Sequence, residues 1–141
     1  MILETKAHGK VSYEEGEVIT FKKGIPGFHK LSKFILFDAK DNPVFKVLHS
    51  IEDTNIGFIV INPFDFFNDY EFTIEDKVLR DLGIEKEEEV MVLNTVTLNS
   101  DIKNITTNLK APIIINIKTL LGEQIIIDKE KYKVKHPLIK E

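Results

Sequence analysis

Asn108-Leu109-Lys110-Ala111-Pro112-Ile113-Ile114-Ile115-Asn116 is the stretch whose reading decides the fold. Proline has no N–H to give to a ladder, and it holds the residue before it extended, so Ala111-Pro112 marks a bend between two extended segments. Ile113, Ile114 and Ile115 then form a β-branched run too short for a helix and suited to a strand buried on both faces. Residues 120–123 are expected to turn the chain and Gln124-Ile125-Ile126-Ile127 to return as the partner strand. The centre of the chain therefore reads as a hairpin inside a β-core.

Working outward, Val18-Ile19-Thr20-Phe21 is the first expected strand. In Lys23-Gly24-Ile25-Pro26-Gly27-Phe28 the Pro-Gly order predicts a type II turn, with Phe28 plugging the end of the core. This loop lacks the glycine spacing and the lysine-serine/threonine pair of a phosphate cradle. Residues 34–38 and 44–48 form an expected hairpin around Lys40-Asp41-Asn42-Pro43, and residues 55–61 a further buried strand that stops at Asn62-Pro63. Residues 90–98 and 105–109 read as strands joined by the Asn99-Ser100-Asp101 turn. Lys131-Tyr132-Lys133-Val134-Lys135 alternates with period two, the pattern of a lysine-protected edge strand.

One helix is expected, over residues 75–82. Thr73-Ile74-Glu75-Asp76 has capping-box spacing, Ile74, Val78, Leu79 and Leu82 recur at helical intervals, and Gly83 stands where a left-handed turn ends a helix. The fold class is thus all-β and mainly antiparallel, with one short helix. The 141 residues, 43% hydrophobic and 30% charged, suit a single domain over residues 1–141.

Composition narrows the chemistry. Without cysteine there is no disulfide, thiolate metal site or cysteine nucleophile. His8, His29, His49 and His136 are scattered singly, without the spacing of metal ligands, and no serine sits in a GxSxG elbow. Hence no metal, cofactor or catalytic residue is expected. Apolar runs reach only four residues, far from the roughly 18–20 that cross a bilayer. The start, Met1-Ile2-Leu3-Glu4-Thr5-Lys6, has no export signal pattern, so a cytoplasmic protein is expected. A net charge of −4 argues against a general nucleic-acid binder.

Two features point to protein partners. Residues 65–89 hold ten acids against three bases, including Glu85, Glu87, Glu88 and Glu89, a surface suited to steering a basic partner. Within the same region Phe64, Phe66, Phe67 and Tyr70 follow Pro63 among acids and amides. They form either a lid folded onto the core or an exposed aromatic patch of the kind that anchors partners. Two other readings stay open, a small barrel holding a small molecule or cofactor in its mouth, and a single-strand nucleic-acid barrel stacking bases on the three phenylalanines.

Together, GIPGF, PVFKVLHSIED, NPFDFFNDYEF, TNLKAPIIINIKTLLGEQIIID and KYKVKHPL resemble the flagellar assembly factor FliW family over nearly the whole chain. Gly24, Ile25, Pro26, Gly27 and Phe28 match the early loop; Asn108, Leu109, Ala111, Pro112, Asn116, Gln124 and Tyr132 match the C-terminal motif. Lys135 stands where an arginine often precedes the histidine, which keeps the charge. The resemblance implies a small closed β-barrel and a non-enzymatic role, binding flagellin in the cytoplasm and binding the homodimeric repressor CsrA without touching nucleic acid directly. In that picture exposed aromatics of the 63–70 loop anchor flagellin, and the glutamates guide a basic region of CsrA. Asn108 and Asn116 are expected to satisfy backbone groups on either side of the Pro112 bend.

Overall fold

All four residues of Ile113–Asn116 are buried, so this strand needs neighbours along both edges and cover on both faces. The computed structural model, which describes residues 1–40, 42 and 44–139, shows what supplies them. In chain order the strands are β1 (Ile2–Thr5), β2 (Gly9–Ser12), β3 (Ile19–Thr20), β4 (Lys33–Asp38), β5 (Lys46–Ser50), β6 (Gly57–Ile61), β7 (Val90–Thr97), β8 (Thr106–Thr107), β9 (Ile113–Asn116), β10 (Leu121–Gln124) and β11 (His136–Pro137). One α-helix, α1 (Asp76–Leu82), lies between β6 and β7.

Seven of these strands close on themselves in the order β3-β4-β5-β6-β7-β9-β10. The pairings are antiparallel except where Leu121 of β10 meets Thr20 of β3 in parallel. β9 forms the closure, with Val90–Leu93 along one edge and β10 along the other. Its side chains alternate. Ile113 and Ile115 point into the barrel with Phe21, Phe34, Leu48, Val60 and Leu93, whereas Ile114 points outward beneath Val78 and Leu82 of α1. The second half of β7 pairs with β8, which β11 extends. The β1–β2 hairpin forms a separate two-stranded sheet. Among the described residues no helix is long and apolar enough to cross a membrane.

α1 ends as expected, with Gly83 at φ 67° in the left-handed region. Its start differs. Glu75 is the N-cap and no side chain caps the helix, so the Thr73 capping box does not form. Residues 72 and 74 are instead packed against the core, which keeps the chain extended up to the helix. Pro26-Gly27 turns as predicted, with Gly27 at φ 89° and Phe28 N–H donating to the Ile25 carbonyl at 2.7 Å. Here Ile25 is the buried residue; Phe28 remains 36% exposed and packs edge-on against Phe58.

Two other expectations need correction. The turn after β9 spans residues 117–120, earlier than expected, because Asn116 builds it: its Oδ1 accepts the Lys118 and Thr119 amides, and its carbonyl accepts Leu120 N–H. The return strand accordingly begins at Leu121, and Gly122 lies within it. Residues 131–135 form turns and an irregular stretch rather than an edge strand, because Tyr132 is buried and its neighbour Lys133 accepts the Leu109 amide. The N-terminal hairpin escaped the sequence reading, since its strands are short and only Leu3 and Thr5 turn inward. The expected 40–43 turn includes Asp41 and Pro43, which lie outside the described residues.

Asn116 also reaches across to α1, where its Nδ2 donates to the last-turn carbonyl of Leu82 at 2.8 Å. Asn116→Ala removes the acceptor of the Lys118 and Thr119 amides and leaves the Leu82 carbonyl with the Thr119 hydroxyl alone, at 3.0 Å, and is expected to cost about 1–3 kcal/mol. Urea unfolding reads this directly, and a wild-type midpoint would contradict the role.

Candidate functional site

The segment after β6 is built to leave one aromatic outside. Pro63 cannot continue the ladder, and Asn62 Oδ1 accepts Phe64 N–H at 3.0 Å, setting the 3-10 turn Pro63–Asp65. Phe67 N–H then donates to the Pro63 carbonyl at 2.8 Å, which folds the chain back. The four aromatics consequently separate. Phe64 is 44% exposed, Phe66 is half-buried, Phe67 is 5% exposed with its ring edge-on to His136, and Tyr70 is buried. The lid reading thus describes Phe67 and Tyr70, and the patch reading describes Phe64. Three phenylalanines stacked in a row for bases do not occur here.

Tyr70 fixes this segment to the barrel. Its hydroxyl donates to the Leu109 carbonyl at 2.7 Å and accepts from Asn94 Nδ2 at 3.3 Å; Asn94 also donates to the Asn108 carbonyl at 2.7 Å. Burial pushes the Tyr70 phenol up to about 12, so it stays a neutral donor. The Tyr132 ring stands edge-on to Tyr70 at 4.8 Å, and its hydroxyl accepts Glu71 N–H at 2.9 Å. Other residues of the C-terminal motif serve the same junction. Asn108 Oδ1 accepts the Lys110 and Ala111 amides, Gln124 Nε2 donates to the Ala111 carbonyl, and the Pro112 carbonyl accepts Ile125 N–H. Gly24, Pro26, Gly27 and Phe28 of the early loop lie apart from it.

Beyond Tyr70 the chain runs extended, with Tyr70, Phe72 and Ile74 on its inner side and Glu71, Thr73 and Glu75 exposed. Between this segment and the start of β7 lies a groove of about 520 Å³. Phe64, Tyr70, Phe72, Ile74, Val90 and Val92 give it an apolar floor, and Glu71, Glu87 and Glu88 an acidic rim. The structure therefore unites Phe64 and Tyr70 with Glu87 and Glu88 in one concavity. Glu71, Phe72, Ile74, Val90 and Val92 were not singled out from sequence, although the period-two alternation from Tyr70 to Ile74 was a readable signal.

The acidic belt requires one correction. Glu85, Glu87 and Glu88 are exposed, but Glu89 is 6% exposed and already engaged. Its Oε1 accepts the Glu85 and Lys86 amides at 2.8 and 3.1 Å, and its Oε2 pairs with Lys118 at 3.0 Å. The Glu85 amide, the Lys118 ammonium and the Lys86 amide together hold its carboxyl at about 2. Glu89 thus anchors the acidic turn to the turn after β9.

The barrel interior is filled by the side chains that pack against Ile113 and Ile115, so its axis is a packed core rather than a cup for a small ligand. Among the described residues no three histidine or carboxylate side chains converge to hold a metal.

Known proteins supply a family. The family model described as "FliW protein" matches residues 2–138. A flagellar assembly factor FliW of Clostridium novyi (strain NT) is 60% identical over 141 residues, covering 100% of this chain and 99% of its own. Another from Clostridium kluyveri is 54% identical over 140 residues, covering 99% of this chain and 97% of its own. A solved structure, described as the crystal structure of the flagellar assembly factor FliW, superposes with a TM-score of 0.93 at 35% identity, covering 100% of this chain and 99% of that one.

The Glu89 cluster has a pH signature. Because the folded carboxyl titrates at about 2 and its ordinary value is 4.5, the unfolded chain binds more protons between these values. The stabilisation is complete above the ordinary value and is lost as pH falls through about 2. In Glu89→Gln the fall of the urea midpoint across that interval is expected to flatten; an unchanged slope would contradict the assignment.

Proposed function

The chain belongs to the FliW family, and from that premise we propose that it is a cytoplasmic flagellar assembly factor that binds flagellin and, when free of it, binds and antagonises the CsrA homodimer. It works by occupancy of protein surfaces, without a catalytic step and without direct contact to nucleic acid. Flagellin synthesis is then coupled to export: as flagellin leaves, the freed factor captures CsrA and translation resumes.

The observation that supports this reading is the groove, where an exposed phenylalanine and an apolar floor meet the glutamates of the acidic turn. Apolar helical ends of an unassembled flagellin need such a floor, and helix-in-groove docking supplies it. A basic region of CsrA is drawn by Glu85, Glu87 and Glu88. Since Glu87 and Glu88 rim the same groove, an occupied groove blocks the approach of the second partner. Partner exchange follows from shared ground.

Phe64→Ala is expected to weaken flagellin binding about thirtyfold, as loss of a desolvated aromatic anchor does. Its thermal midpoint should stay near wild type, whereas Phe67→Ala is expected to cost about 3–5 kcal/mol of folding. Wild-type affinity of folded Phe64→Ala would remove the anchor. Replacing Glu85, Glu87 and Glu88 with glutamine is expected to slow CsrA association at low salt and leave dissociation nearly unchanged. Kinetics showing the reverse would place the glutamates at the energetic centre of that contact.

A further inference from the structure

The far end of β10 leaves a run of backbone without a partner. Ile125 and Ile127 N–H donate to the Pro112 and Lys110 carbonyls at 3.0 and 2.7 Å, continuing the antiparallel register of β10 on β9. In such a pair, alternate residues turn their amides and carbonyls to opposite edges. The backbone groups of Gln124 and Ile126 therefore face away from β9. Among the described residues the one strand pairing of β10 on that side is the Leu121–Thr20 contact with β3, which ends before them. Ile126 is 77% exposed.

From residue 122 to 128 this edge contains no lysine and no proline, and its only charged side chains are the acids Glu123 and Asp128. Alongside it lies a cleft of about 260 Å³ whose opposite wall is Thr73, Glu75 and Val78. Glu75 and Glu123 line that cleft without any basic side chain, although Glu123 also pairs with Lys23 at 3.4 Å. Unpaired amides and carbonyls at strand spacing fit another extended backbone, the exposed isoleucine fits apolar side chains, and the acidic lining fits a basic one.

We propose that the Gln124–Ile126 edge is a second interaction surface, separate from the Phe64 groove, that takes an extended basic and apolar peptide segment of a partner protein as an added β-strand. The backbone of the incoming strand supplies affinity, and Glu75 and Glu123 select against acidic segments.

Fluorescein-labelled short peptides of alternating valine and lysine, or of valine and glutamate, would be titrated against the full chain by anisotropy. The valine–lysine peptide is expected to bind saturably, at least about tenfold more tightly than its acidic counterpart. Ile126→Pro removes an outward amide that donates no hydrogen bond among the described residues, and binding should fall at least about tenfold with an unchanged melting midpoint. If that variant misfolds, Glu75→Lys, an exposed change at a helix start with no side-chain cap, should still weaken the valine–lysine peptide several-fold. Amide exchange at Gln124 and Ile126 should slow on binding. Absence of binding, equal binding of both peptides, full binding by folded Ile126→Pro or Glu75→Lys, or sedimentation showing that a second copy of this chain occupies the edge would each overturn the proposal.

Discussion

Closure of the barrel rests on a strand of four residues that must satisfy two edges and two faces at once. Ile113 and Ile115 are inner packing, Ile114 is the floor under α1, and Asn116 is a polar terminus with no access to water. A buried amide is tolerable only when its groups are paired, and Asn116 is engaged through both Oδ1 and Nδ2. The same side chain thereby starts the next turn and holds the end of the helix. Removing it would loosen β10, which closes the barrel onto β3, and α1, which covers Ile114.

From that closure the groove follows by short steps. β9 lies along the first half of β7, so the acidic turn Glu87–Glu89 sits at the corner where β7 begins. Glu89 ties that corner to the turn after β9 through Lys118, and the Glu89 carbonyl accepts Ile117 N–H at 2.8 Å. On the other wall, Tyr70 and Tyr132 bind residues 63–74 to the Pro112 bend and to the C-terminal segment. Both walls are therefore fastened to the barrel by polar contacts. What remains exposed between them is apolar and acidic, and it is held in place before any partner arrives, which lowers the ordering cost of binding.

Much of this was legible in the residues. The Pro112 bend, the isoleucine strand buried on both faces, the helix ending at Gly83 and the closed barrel implied by the family resemblance all reappear. Errors fell where a side chain acts on distant backbone. Gly122 looked like a turn residue, but Asn116 makes the turn directly after β9, three residues earlier than expected, and a Cβ on Gly122 would come within 2.6 Å of the Phe21 ring. Lys131 to Lys135 looked like an edge strand, but the Tyr132 hydroxyl commits that stretch to the Tyr70 junction. The four aromatics carried no local mark separating Phe64 from Phe67, because Asn62 and Pro63 decide it through the geometry of one turn. Likewise Glu85, Glu87, Glu88 and Glu89 are alike in sequence; the Glu85 and Lys86 amides, together with the Lys118 contact contributed by a turn nearly thirty residues away in the chain, withdraw Glu89 from the surface.

Amide hydrogen exchange on the free chain and on its complex with flagellin tests the central claim most directly. The account predicts new protection across residues 63–74 and 87–92, the two walls of the groove, with the barrel strands β4 and β5 unchanged. Protection confined to the β1–β2 hairpin or to the outer face of β4 and β5, with both groove walls exchanging as in the free chain, would contradict it.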